Sequence, residues 1–200
     1  MRYVSPTLIL LAALMQVPAA HAIPITFEAN LTQALEVPPT GSPGTGSATV
    51  VLDTTASTMH VEVTFSGLTS GTTASHIHCC LPSPFETGVN VMVATTTPTF
   101  PGFPLGVTSG TYDMTFNLLD AATYNPAFIT SSFDPSGTVA GAEAALVAGI
   151  EDGKTYLNIH TTDFPSGEIR GFLVPEPTSL VLLGSALLGF ALIRRRKKGS

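Results

Sequence analysis

Between Ile23 and Val174 the chain sets apolar against polar residues in short alternating runs separated by Gly, Pro, Asn and Ser, the period of antiparallel strands. Strands are predicted over Ile25 to Leu31, Ser47 to Leu52, Thr58 to Phe65, Ala74 to Cys79, Asn90 to Ala94, Gly110 to Asn117, Thr155 to Thr161 and Glu168 to Val174. In the third run Met59, Val61, Val63 and Phe65 face one way and His60, Glu62 and Thr64 the other, so that strand is half buried. Ala140 to Ile150 breaks the period: it is Ala-rich, carries Glu143 early and ends near Gly153, which predicts a short helix. Leu81 to Gly110 is rich in Pro and Thr and predicts a long excursion around one brief strand, whose Val91, Met92, Val93 and phenylalanines need burial. The expected fold is all-β: an antiparallel Greek-key sandwich or flattened barrel with one short helix.

The two ends follow other patterns. Arg2, the apolar run Leu8 to Met15 and the small-x-small site Ala20-His21-Ala22 predict a signal peptide over 1–22, cleaved between Ala22 and Ile23. Near the other end Pro175-Glu176-Pro177 precedes an uncharged apolar stretch, Thr178 to Ile193, and then Arg194, Arg195, Arg196, Lys197 and Lys198. As a helix at about 1.5 Å per residue, 178–193 would extend roughly 24 Å, a little short of a hydrocarbon core of about 30 Å. Such a helix is a weak anchor that depends on its basic flank. The basic cluster is expected on the cytoplasmic side, which leaves the domain outside. The organisation predicted is therefore signal peptide 1–22, β domain 23–174 and C-terminal tail 175–200.

Charge changes the picture of the central domain. The whole chain carries −6, but Ile23 to Val174 holds two bases, Lys154 and Arg170, against thirteen acids, a net −11 masked by the terminal basic residues. That balance argues against a nucleic-acid partner, whose phosphates require Lys and Arg, and favours cations or neutral sugars. The two cysteines, Cys79 and Cys80, are adjacent and cannot staple distant segments. Three fates are open to them in an exported protein: a vicinal disulfide, pairing between chains, or buried thiols.

His76 and His78 flank Ile77 on one predicted strand, so both imidazoles project from one face. Tyr156, Asn158 and His160 alternate with Leu157 and Ile159 in the same way. If the two strands are neighbours, His76, His78 and His160 converge on one patch and offer nitrogen ligands to copper or zinc, with Asp163 or Glu168 as an acidic companion. The competing reading leaves them solvated or hydrogen-bonded to a loop. His60, beside Glu62, is expected to be ordinary surface. Arg170 follows Glu168 by two residues, which predicts a shared strand face with an ion pair or a clamp to a loop.

Two resemblances rest on these residues. Pro175-Glu176-Pro177, the apolar stretch and the basic end resemble the PEP-CTERM sorting signal of Gram-negative bacteria. This implies an inner-membrane intermediate, processing by an exosortase-type enzyme after signal peptidase, and delivery to the cell surface or extracellular polysaccharide. Glu36-Val37-Pro38-Pro39 with Gly44 and Gly46, Gly67-Leu68, Ala74-Ser75-His76-Ile77-His78, Tyr156-Leu157-Asn158-Ile159-His160-Thr161 and Phe164-Pro165-Ser166-Gly167-Glu168-Ile169-Arg170-Gly171 resemble the CHRD domain, named for chordin. That resemblance implies an extracellular β domain and supplies no reaction. Cys79-Cys80-Leu81-Pro82 departs from the Gly-containing segments common in that family after the His-x-His pair. On a strand the two cysteines point to opposite faces, so at most one is expected to join the histidines. Gly67-Leu68 and His76-Ile77-His78 are also similar to copper-zinc superoxide dismutases, without their full ligand set.

No HExxH, GxSxG or dinucleotide loop is present, so no catalytic residue is assigned. The expected function is that of a non-enzymatic exported surface or matrix protein binding a protein, a polysaccharide or a copy of itself. The alternative is a copper- or zinc-binding domain with redox capacity.

Overall fold

A computed structural model describes residues 23–134 and 136–176. The expected signal peptide, Pro177, the apolar stretch 178–193 and the basic end Arg194 to Lys198 lie outside the described residues. Among the described residues no helix is long and apolar enough to cross a membrane.

Eight strands form one curled antiparallel sheet, a half-barrel, in the order β4-β6-β7-β1-β2-β3-β5, with β8 also paired to β1. They are β1 (Ile25–Thr32), β2 (Thr45–Asp53), β3 (Thr58–Ser66), β4 (Thr72–Cys79), β5 (Gly110–Asn117), β6 (Thr155–Thr161), β7 (Ile169–Phe172) and β8 (Val174–Pro175). Two separate sheets were the expectation for a sandwich; instead the hydrogen-bonded path runs unbroken from β4 to β5. Among the described residues two α-helices form where one was expected: α1 (Pro126–Ile129) and α2 (Val139–Glu151). The first is nucleated by the Asn125 side chain accepting from the Ala127 amide with Pro126 in its first turn.

The predicted alternation places the core. Phe27, Ala29 and Leu31 of β1, Ala48, Val50 and Leu52 of β2, and Met59, Val61, Val63 and Phe65 of β3 are all buried on one face. Glu28 and Glu62 stand out in solvent on the other. On α2, Ala142, Leu146, Gly149 and Ile150 form the buried stripe, and Thr138 caps the helix by accepting from the Gly141 amide. Phe100 and Phe103, from the long excursion, stack on Tyr112 and Phe65 and complete the core.

The other half of the sheet is buried on both faces. In β6 every residue but His160 is buried, and from Ser75 onward so is every residue of β4. The cover is the excursion. Cys79 donates its amide to Met92 and Ala94 donates to Ile77, which lays residues 91–95 along the β4 edge. The strand expected over Asn90 to Ala94 does not form; it is reduced to a bridge between His78 and Val93, with the amides of Ala94 and Thr95 both donating to Ile77 rather than continuing a regular ladder. The strand expected over Glu168 to Val174 is likewise split. Residues 169–172 pair with β6, whereas Val174 and Pro175 turn to Glu28 and Phe27 of β1, with Leu173 buried at the switch.

Candidate metal centre

Antiparallel pairing of β4 with β6 sets His78 opposite Tyr156, His76 opposite Asn158 and Ala74 opposite His160. Strand alternation then puts His76, His78, Tyr156, Asn158 and His160 on the outer face, away from Ile77 and Leu157, which enter the core. The three histidines expected to converge do so: one ring nitrogen of each falls within 4.8 Å of the other two. The polar face on which they stand is not solvated; His76 is 6% and His78 8% exposed, and His160 is half-buried.

Each ring is held by a backbone carbonyl. His76 Nε2 lies 2.7 Å from the Pro98 oxygen, His78 Nδ1 2.7 Å from the Val91 oxygen and His160 Nδ1 2.8 Å from the Pro165 oxygen. A carbonyl only accepts, so these three nitrogens carry the ring protons and His76 Nδ1, His78 Nε2 and His160 Nε2 are left as lone pairs. Burial pulls the His76 and His78 imidazoles down to about 4, aided at His76 by His160, and it lowers His160 as well. All three are therefore neutral at neutral pH, the form that ligates metals. Outer nitrogens fixed by carbonyls are the usual support of such ligands.

One pair of the cluster has the spacing of two ligands on a single cation. His76 Nδ1 and His160 Nε2 are 3.3 Å apart. Two imidazole nitrogens each about 2.05 Å from one ion at a tetrahedral angle would be separated by about 3.3 Å. Among the described residues, His78 Nε2 is buried and has no hydrogen-bond partner.

Two expected companions are elsewhere. Asp163 is exposed in the loop after β6. Glu168 is fully buried and accepts from Ser42 Oγ, the Thr69 amide and Thr161 Oγ1. Glu168 turns to the face of Thr161, whereas Arg170 stands opposite Asn158 on the outer face, so the two do not share a face and the expected ion pair between them is absent. Arg170 clamps loops instead, donating to the carbonyls of Leu35 and Val89 and to Asn90 Oδ1. Its guanidinium carbon sits 4.4 Å from the centre of the Tyr156 ring, against which His78 is stacked at 4.7 Å.

Glu36, unassigned by sequence reasoning, is buried near this clamp. Burial raises its carboxyl to about 7 against the opposing pull of Arg170. The cysteines are joined to each other as a disulfide, and Cys79 lies on the core face against α2, so neither sulfur is available to the histidines. His60 lies on the outer face of β3 and β5, where its Nε2 meets the exposed Asp113 Oδ1 at 2.8 Å, with Glu62 alongside.

Sequence comparison agrees with this architecture. The profile of the CHRD domain matches residues 27–173 and that of the PEP-CTERM protein-sorting motif matches residues 173–197. Neither is an enzyme family. The sorting motif implies export, a membrane-anchored intermediate and exosortase-type processing. No curated protein and no solved structure is similar enough to the chain to count as a match. With residues 27–173 matched along a single profile, the chain belongs to the CHRD domain family.

Proposed function

We propose that this exported domain is a metal-binding module of the cell envelope that holds copper or zinc on His76, His78 and His160. The observation that carries the reading is the set of three neutral imidazoles whose free nitrogens turn toward one another inside a protein of net −11 over Ile23 to Val174. Lone pairs so arranged repel unless a cation or donor lies between them, and imidazole suits both metals. Signal peptidase and then an exosortase-type enzyme acting near Pro175 to Pro177 would release the domain from the inner membrane toward the cell surface or matrix. The test is elemental mass spectrometry of the full chain exported without an affinity tag. Near-stoichiometric copper or zinc that disappears in the His76→Ala/His78→Ala variant supports the site. Metal-free protein that also refuses added metal overturns it.

A second reading, a non-enzymatic module binding extracellular polysaccharide, is favoured by a shallow depression of about 350 Å³ on the outer face. Ser47, Thr49, Glu62, Thr64, Thr111 and Asp113 line it with hydroxyls and carboxylates that can hydrogen-bond sugar hydroxyls. Retention on immobilised matrix polysaccharide, lost in Glu62→Ala/Asp113→Ala, would support it; equal retention of the variant would sink it.

A further inference from the structure

The outer face holds a second unpartnered acceptor beside the histidines. Asn158 stands between Tyr156 and His160 on β6, opposite His76 on one side and Arg170 on the other. Its side chain is 1% exposed, and among the described residues its Oδ1 has no hydrogen-bond partner. The direction of that oxygen follows from the other end of the amide. A Cβ added to Gly167 would lie 2.9 Å from Asn158 Nδ2 and 2.6 Å from Glu36 Oε1, so the nitrogen end lies on the Gly167 side and the oxygen end is turned away from it. On the same outer face His78 Nε2 is likewise buried and, among the described residues, without a hydrogen-bond partner.

Asn158 Oδ1 and His78 Nε2 are thus two buried acceptors on one face, neither of them with a donor, and two acceptors cannot bond. A buried acceptor left without a donor costs about 1–3 kcal/mol, so the pairing is stable only with a positive group between the two. From this juxtaposition we propose that Asn158 is the fourth ligand of the metal centre, its side-chain carbonyl oxygen completing a set of three imidazole nitrogens and one oxygen. The bare backbone of Gly167 acts as the positioning element, leaving the room that the amide nitrogen occupies. The assignment rests on the metal-binding reading above and adds to it the identity of the fourth ligand, which the spacing of the histidines does not reveal.

The experiment is a Cu²⁺ titration of the full chain with electron paramagnetic resonance, comparing wild type with Asn158→Ala and Asn158→Asp, each checked for native circular dichroism. Loss of the oxygen in Asn158→Ala should weaken binding about tenfold or more and shift the parallel hyperfine splitting, while the imidazole nitrogen couplings persist. Asn158→Asp, which keeps an oxygen at the position, should restore or tighten binding. Unchanged affinity and spectrum in a folded Asn158→Ala protein overturn the assignment while leaving the histidine site standing. Tighter binding in that variant also overturns it, because it would mean that the amide is turned end for end and donates to His78. If Asn158→Ala does not fold, an Asn158→Asp spectrum identical to wild type overturns it equally. Wild type that takes up no copper removes the metal reading itself and this inference with it.

Discussion

His76 Nδ1 and His160 Nε2 face each other at 3.3 Å although neither carries a proton to share, since the opposite nitrogen of each ring donates to a loop carbonyl, Pro98 in one case and Pro165 in the other. The contact joins two strands, and both carbonyls come from segments that fold back over the sheet. The cluster is a product of those loops as much as of the strands that bear the rings.

Burial of these rings sets the acid sensitivity of the metal-free protein. His76 and His78 titrate near 4 in the folded state and near 6.5 when unfolded, so the unfolded chain takes up more protons between those values and stability falls as pH drops through that window. Glu36 acts oppositely: raised from 4.5 to about 7, its contribution is complete below 4.5 and is lost as pH rises toward 7. The histidines outnumber it, so the melting temperature of chelator-treated protein should rise from pH 4.5 to 6.5 in scanning calorimetry. Glu36→Gln should steepen that rise, and a flat profile in wild type would contradict the assigned burial.

Arg170 is fully buried and ties two separate segments, at Leu35 and at Val89-Asn90, to the sheet. A lysine keeps the charge but cannot reproduce the planar fork. Arg170→Lys should cost about 2 kcal/mol or more and expose the excursion between β4 and β5. Urea unfolding and limited proteolysis within residues 81–109 would measure both effects.

Gly167 adopts φ +126° directly over Glu36 and Asn158. A methyl group there meets both a disfavoured backbone conformation and atoms 2.6 and 2.9 Å away. Gly167→Ala should destabilise the domain by about 1–3 kcal/mol, and it should weaken copper binding even in the folded fraction. Equal copper affinity in a folded variant would show that the glycine serves only the turn.

Glu168 receives three donors in a fully buried position, so replacing one carboxylate oxygen by an amide sets a donor against a donor. Glu168→Gln should lower stability by about 1–3 kcal/mol. Metal stoichiometry in the surviving folded protein should stay unchanged, because the side chain is engaged with Ser42, Thr69 and Thr161 rather than with the histidines. Loss of metal without loss of stability would reverse that assignment.

The strands of the first half were legible in the sequence because each buries one face only, and alternation in β1, β2 and β3 records that directly. The helix Val139–Glu151 was legible because its alanines and its break at Gly153 are local properties. By itself the sequence determined that the protein is a β domain followed by a sorting motif, and that His76 and His78 share a face. Only the tertiary structure decided that β4 and β6 are neighbours, since strand order depends on long-range pairing that no local pattern encodes. It also decided that the histidines are buried and neutral, because the cover comes from a loop without strand periodicity. Glu168 left the face of Arg170 for a similar reason: donors from Ser42, Thr69 and Thr161, brought together only in the folded chain, hold its carboxylate on the other side, which counting residues along a strand cannot anticipate.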